Sequence, residues 1–336
     1  MKIAMLHGPR DLRLEERPLD TSQLKPGQVW VETRISALKI GTDRGNYEGA
    51  EQVPGAPGFP RWVGDSNLGI VRGVGAGVSR FALGDRVVSR YPHQSEYIAD
   101  EREMLVKVPD GVADEDAVFS HLYTLSALCY RKALFAPGEN VGIVGLGVLG
   151  LGAVGLGPCF GGRIVGLGNS PVRLEMARRM GADAAFMSDD PDLERHIDEF
   201  TDGVGLDLVI LTANPWPAYR TAVQVVRRNG RVAIVSLPGR GEEPLDFNPL
   251  DMAWFYNKGI SLIAVSGASG YLYPNDDERF EWSRCCRHTL ELMRGGGLEP
   301  KRLITHRMPY TDMVEAYEMA FHRDKEMLGV IFEWAG

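Results

Sequence analysis

The sequence predicts an α/β protein in two parts, a β-rich barrel-like domain followed by a doubly wound parallel-sheet domain. Three observations carry this. The chain has 336 residues, a length that favours two domains at ~100 to 200 residues each. Over its first third, short β-rich runs alternate with Gly, Pro and Asp clusters, the rhythm of antiparallel sheet. Beyond residue 114 helical and strand patterns alternate instead, which builds a parallel sheet.

In order along the chain, residues 28–35, 68–74 and 86–89 read as strands of the first domain. Residues 116–132 read as one helix, 140–144 as a strand, and a helix begins near Leu149. Gly152, Gly155, Gly157 and Pro158 make a poor helix interior, so that helix is expected to be short or kinked. Strands at 163–167, 206–211, 230–235 and 259–265 alternate with helices at 171–180 and 218–226. Residues 283–334 read as two helices and a final strand at 329–333. Two longer segments, 51–62 and 267–279 with Tyr271 and Tyr273, read as loops, either bordering a site or simply solvated.

Composition narrows the function. Hydrophobic residues make up 44% and charged residues 24%, ample for a core and inconsistent with disorder. A net charge of -8 repels polyanions, so neither nucleic acid nor an anionic membrane is an expected partner. Residues 141–162 carry no charge but are broken by glycines and Pro158, and read as a strand and glycine-rich turn rather than a membrane span. Cys129, Cys159, Cys285 and Cys286 form no CxxC pattern, so no disulfide framework or zinc finger is expected. With no apolar run of signal-peptide length at residues 1–12, a cytoplasmic location is expected.

Gly145, Gly147 and Gly150 form a GxGxxG directly after the strand at 140–144, with Val148 and Leu149 opening the next helix. The first glycine permits the tight turn, the second lets backbone approach a pyrophosphate, and the third lets helix and strand pack. The helix N-terminus attracts the negative charge. Where an NAD-binding chain has Asp or Glu after the next strand, this one has Gly168, followed by Asn169, Ser170 and Arg173. Room and hydrogen-bond donors for a 2'-phosphate point to NADP(H); alternatively, Arg173 merely decorates a solvated first turn.

Together with residues 24–31 (LKPGQVWV), Gly41-Thr42-Asp43, 84–88 (GDRVV), Glu96-Tyr97, 177–183 (ARRMGAD) and 229–232 (NGRV), this motif resembles the medium-chain dehydrogenase/reductase superfamily. The resemblance spans nearly the whole chain. It implies a GroES-like catalytic domain at 1–118, a Rossmann domain at 119–270, and a C-terminal segment, 271–336, completing the first. It also implies a homodimer or homotetramer acting on a small molecule.

The zinc-dependent members of that superfamily hold the metal with a Cys before Gly-Thr-Asp, a Gly-His-Glu, and a Cys, Asp or Glu near the nucleotide domain. Here Ile40 precedes Gly41, Asp65 and Ser66 follow Gly64, and His121 stands near the third position. At most two ligands remain of the three a catalytic zinc needs, so no catalytic zinc is expected, and with no cysteine between Val88 and Glu96 the family's four-cysteine structural-zinc lobe is missing too. Thr42 matches the family's proton-passing hydroxyl, or else caps a helix before Asp43. Lys39 is expected to replace the metal by stabilising an oxyanion, unless strand alternation turns it away. Asp65 orients Lys39, binds a hydroxyl or acts as a base, or pairs with Arg61 or Arg86. Tyr47, His93 and His121 are further candidate acids. The implied activity is zinc-independent hydride transfer between NADP(H) and a carbonyl or alcohol; the alternatives are reduction of an activated C=C bond and a non-catalytic nucleotide-binding protein.

Overall fold

Val29, Val31, Thr33 and Ile35 are buried while Glu32 and Arg34 face outward, the period-two pattern of a strand with one face on a core. That strand, Gln28–Ala37, is the spine of the first structural unit. The computed structural model describes residues 1–50, 57–265 and 281–334. They divide into one unit of Met1–Leu122, Trp282–Gly296 and Pro300–Gly336, and a second of Tyr123–Glu281 and Gly297–Glu299. Half of the segment 51–62, residues 51–56, and all of 267–279 lie outside the described residues, as do Tyr271 and Tyr273.

In the first unit, Gln28–Ala37 pairs antiparallel with Asn67–Val74, Glu96–Asp100 and Gly329–Glu333. Arg86–Ser89 and Leu105–Lys107 extend the sheet on one side, Ile304–Pro309 on the other. A smaller sheet of Leu12–Glu16, Lys2–Leu6 and Arg61–Trp62 accompanies it. Val29, Val31, Val71, Val87, Tyr97 and Leu105 fill one core; Leu38, Tyr47, Tyr317 and Phe332 belong to another. The C-terminal strand therefore lies in the same sheet as the N-terminal ones, and the helix Met313–Phe321 makes the crossover between the parallel strands Ile304–Pro309 and Gly329–Glu333.

The second unit has a six-stranded parallel sheet in the order Ala184–Met187, Arg163–Gly168, Asn140–Val144, Leu206–Leu211, Val226–Ile234, Ser261–Ala264. Counted along the chain this is 3-2-1-4-5-6, the Rossmann order, whose ligand crevice lies where the order reverses. The protein is thus an α/β fold with a β-rich unit and a Rossmann-like unit. Among the described residues no helix is long and apolar enough to cross a membrane.

The structure differs from the sequence reading at several elements, among them the strand Ala184–Met187 and the helix Leu193–Phe200, which that reading did not name. The helix expected at 116–132 is two, Asp114–Ala117 and Ser120–Lys132; at the break the Val118 carbonyl accepts from Ser66 Oγ at 2.9 Å. That break puts His121 in a fresh first turn. The glycine-rich helix is neither short nor cut, running Val148–Phe160. A Cβ on Gly152 would lie 2.7 Å from Tyr123, and one on Gly157 2.2 Å from Ile164; the glycines permit close packing that offsets their low propensity. Ile304–Pro309 is an unforeseen strand, half solvated and interrupted in pattern by His306 and Arg307.

Candidate active site

The nucleotide loop leaves the central strand at Val144. Gly145 has φ +95°, and a Cβ there would lie within 2.9 Å of Ala213 and Thr212 atoms. Thr212 Oγ1 donates to the Gly145 carbonyl at 2.7 Å, tying the turn to the neighbouring strand's exit. A Cβ on Gly150 would lie 1.8 Å from the Gly145 carbonyl oxygen, so the third glycine lets turn and helix pack. Gly147 differs: a Cβ there would meet only Arg173 Nη1, at 3.9 Å. That open face, at the N-cap of Val148–Phe160 with no acidic residue in its first turn, fits a pyrophosphate against the free N–H groups near Val148 and Leu149.

Gly168 closes its strand, buried, with the position of a Cβ only 2.9 Å from Leu146. Asn169 is exposed and Ser170 is the N-cap of Pro171–Arg179. Arg173 does not stand free in solvent: it is partly buried and Nη1 donates to the Leu146 carbonyl at 3.3 Å. It is a cation held beside the glycine loop.

The second constellation lies within the first unit. Lys39 is not on a strand; it is the N-cap of the helix Ile40–Tyr47, so strand alternation does not decide its direction. Its Nζ donates to Asp65 Oδ2 at 2.5 Å, and both side chains are only 15% exposed. Arg61 bonds the carbonyls of Pro57 and Asn46, and Arg86 pairs with Asp114. Asp65 is thus the partner of Lys39, not of either arginine. Burial pushes the Asp65 carboxyl up, but Lys39, with His121 and Arg90 behind it, outweighs that and holds it well below the usual carboxylate range.

Thr42 sits inside the helix, so it is not the cap. The capping bond comes from Asp43, whose Oδ2 accepts the Lys39 N–H at 2.8 Å. Burial, then the nearby Asp65 charge, pushes the Asp43 carboxyl up to about 7. His121 is fully buried, with Nε2 3.5 Å from Asp65 Oδ2 and Nδ1 accepting from Trp282 Nε1 at 2.9 Å. Burial lowers its pKa to about 4, leaving a neutral ring.

Tyr47 and His93 bond to other partners, although the His93 ring lies against Gly64, where a Cβ would be 2.5 Å from it. The Tyr47 hydroxyl donates to Glu318 Oε1 at 2.5 Å, and the ring packs edge-on against Tyr317; burial, then that bond, pushes its pKa up to about 12, against use as an acid. His93 Nδ1 meets Ser36 Oγ at 2.8 Å under Phe332, and burial lowers it to about 4. Asp43, Arg90 and Trp282 were not singled out from sequence. Asp43 was visible only as part of Gly-Thr-Asp, and Trp282 lies 161 positions from the ring it binds.

Residues 148–281 match the family described as zinc-binding dehydrogenase. Over 98% of its length the chain is 24% identical to sorbitol dehydrogenase of Bacillus subtilis, covering 96% of that protein. The comparisons support the medium-chain, zinc-type alcohol dehydrogenase-like superfamily. The chain is also 24% identical to (R,R)-butanediol dehydrogenase of Bacillus subtilis, over 98% of this chain and 99% of that one. In structure, the chain matches galactitol-1-phosphate dehydrogenase from Escherichia coli with TM-score 0.82 and 18% identity, over 99% and 100% of the two chains. An Escherichia coli alcohol dehydrogenase (rspB) complexed with NADH matches with TM-score 0.77 and 20% identity, over 99% of each chain. The named relatives are dehydrogenases, which supports an oxidoreductase that binds a nicotinamide dinucleotide.

Proposed function

We propose that this oxidoreductase is NADP(H)-dependent, works without zinc, and moves a hydride between the nicotinamide and a carbonyl or alcohol carbon. The observation that carries the reading is the Lys39–Asp65 ion pair, with an ammonium on the carboxylate that follows Gly64. Zinc needs deprotonated donors and three protein ligands. Here Asp65 Oδ2 is taken by Lys39, and the neutral His121, accepting at Nδ1, carries its proton on the Nε2 that faces Asp65. The donor set does not fit the metal.

Gly145, Gly147 and Gly150 would hold the dinucleotide, which would supply or take up the hydride. In the reducing direction the carbonyl carbon gains that hydride and its oxygen develops negative charge. The Lys39 ammonium stabilises this charge, Asp65 keeps the ammonium oriented, and the Thr42 hydroxyl delivers the proton and regains one from solvent. Gly168 and Arg173 favour NADP(H), because no carboxylate opposes a 2'-phosphate and a cation stands by the loop. The relatives named for sorbitol and butanediol favour a polyol or hydroxyketone substrate, whose second hydroxyl Asp65 is suited to accept.

Fluorescence titration of the protein with NADPH and NADH tests the cofactor: tighter NADPH binding, lost in Arg173→Ala with NADH unaffected, is expected. Tighter NADH binding overturns it. Turnover on hydroxyketones but not on matching enones is expected from the metal-free protein; turnover on enones alone makes this a C=C reductase, and one zinc per chain removes the zinc-free mechanism.

A further inference from the structure

The proposed function leaves one buried side chain unexplained. Trp282, at the start of the helix Trp282–Arg294, is among the largest fully buried residues, and its indole nitrogen is committed to the His121 ring. An indole N–H can only donate, and a neutral imidazole donates through one nitrogen and accepts through the other. With Trp282 Nε1 at 2.9 Å, His121 Nδ1 must be the bare nitrogen. A proton there would face the indole proton, so the contact excludes both the Nδ1–H tautomer and the imidazolium.

The proton is thereby confined to Nε2, 3.5 Å from Asp65 Oδ2. The same oxygen takes the Lys39 ammonium at 2.5 Å. Asp65 thus faces two donors and no competing lone pair. Were the tautomer reversed, the Nε2 lone pair would face the carboxylate, and repulsion would displace Asp65 and the ammonium it orients. The charges acting on His121 are Asp65, Arg90 and Lys39; of these, only Asp65 is an acceptor.

We infer that Trp282 is a positioning residue, acting through the tautomer of His121 to hold Asp65 and the Lys39 ammonium in working geometry. This rests on the role proposed above for Lys39. Its test needs no turnover. In protein labelled with ¹⁵N at histidine, long-range nitrogen–proton correlation reads which ring nitrogen bears the proton, with His121 assigned by its absence in His121→Gln. The unaltered protein is expected to show a protonated Nε2 and a bare Nδ1 at neutral pH, and Trp282→Phe to lose that pattern. An Nδ1–H ring in the unaltered protein overturns the inference even if the variant fails to fold, as does an unchanged pattern in Trp282→Phe. In kinetics, Trp282→Phe is expected to lower kcat about 10-fold, the scale of losing a group that orients a histidine, with KM for NADPH unchanged. A kcat equal to that of unaltered protein also overturns it. If the unaltered protein reduces no carbonyl while the spectrum shows Nε2–H, the proposed function fails and the tautomer assignment stands.

Discussion

Lys39 and Asp65 withdraw most of their surface from water, and such a pair offsets its desolvation only through good geometry. Retaining such a pair makes sense if, as proposed, the ammonium does chemistry. Lys39→Met should therefore lower kcat for carbonyl reduction by about 100-fold, the scale of removing one preorganised oxyanion donor, while the NADPH dissociation constant stays fixed. Steady-state kinetics beside a cofactor titration checks this; an unchanged kcat reduces Lys39 to a salt-bridge partner. Thr42 is tested in the same assay, since Thr42→Val keeps the shape and removes the proton path.

At the scale of elements, the loop before Val148–Phe160 separates two glycines that look alike in sequence. Gly150 is needed for packing, because a Cβ would strike the Gly145 carbonyl oxygen; Gly150→Ala should cost about 1 to 3 kcal/mol of stability. Gly147 has space, so Gly147→Ala should keep stability within about 0.5 kcal/mol yet weaken NADPH binding about tenfold, or about 1.4 kcal/mol, because the methyl occupies the pyrophosphate's approach. Thermal unfolding beside a cofactor titration separates the two effects. The helix Ile40–Tyr47 carries a second expectation through Asp43. An unfolded Asp titrates near ~3.9, whereas Asp43 keeps its proton up to about 7. Between these values the folded state binds more protons, so the contribution is present at low pH and lost as pH rises through 7, by up to ~1.4 kcal/mol per unit. Melting curves from acid to mildly alkaline pH should show this loss in the unaltered protein and a flatter profile in Asp43→Asn. An identical slope in both sinks it.

For the whole molecule, the sheet order places the glycine turn at the reversal between Asn140–Val144 and Leu206–Leu211, the position at which Rossmann sheets bind ligands. Among the described residues the same order leaves Ser261–Ala264 as an edge, and a sheet edge offers backbone groups to another chain. Exposed Leu250, Met252 and Tyr256 precede it. We propose a homodimer through this region: light scattering should give twice the chain mass, and Met252→Glu with Tyr256→Glu should return it to monomer. A monomeric unaltered protein removes the proposal.

Both architectures were legible in the sequence, because strand alternation, helical periodicity and turn residues are local signals. The strands Asn140–Val144, Leu206–Leu211 and Gly329–Glu333 stood out for their apolar runs, and the glycine turn for its spacing. The unbroken helix through Gly152 and Gly157 did not, because its stability comes from neighbours distant in sequence. Nor did the strand Ile304–Pro309, whose solvated edge dilutes the pattern. Asp65 and His121 were nameable as departures from a zinc site, and Lys39 as an unusual cation that Asp65 could orient, but the three were not nameable as one joined set. Their grouping was decided by tertiary structure alone: a helix start redirects Lys39, a helix break redirects His121, and an indole from the C-terminal segment selects its proton. Donor–acceptor matching between segments far apart in the chain leaves no periodic trace, so sequence determined the fold and the glycine turn, while only the folded chain determined the charge and proton positions on which the proposed chemistry rests.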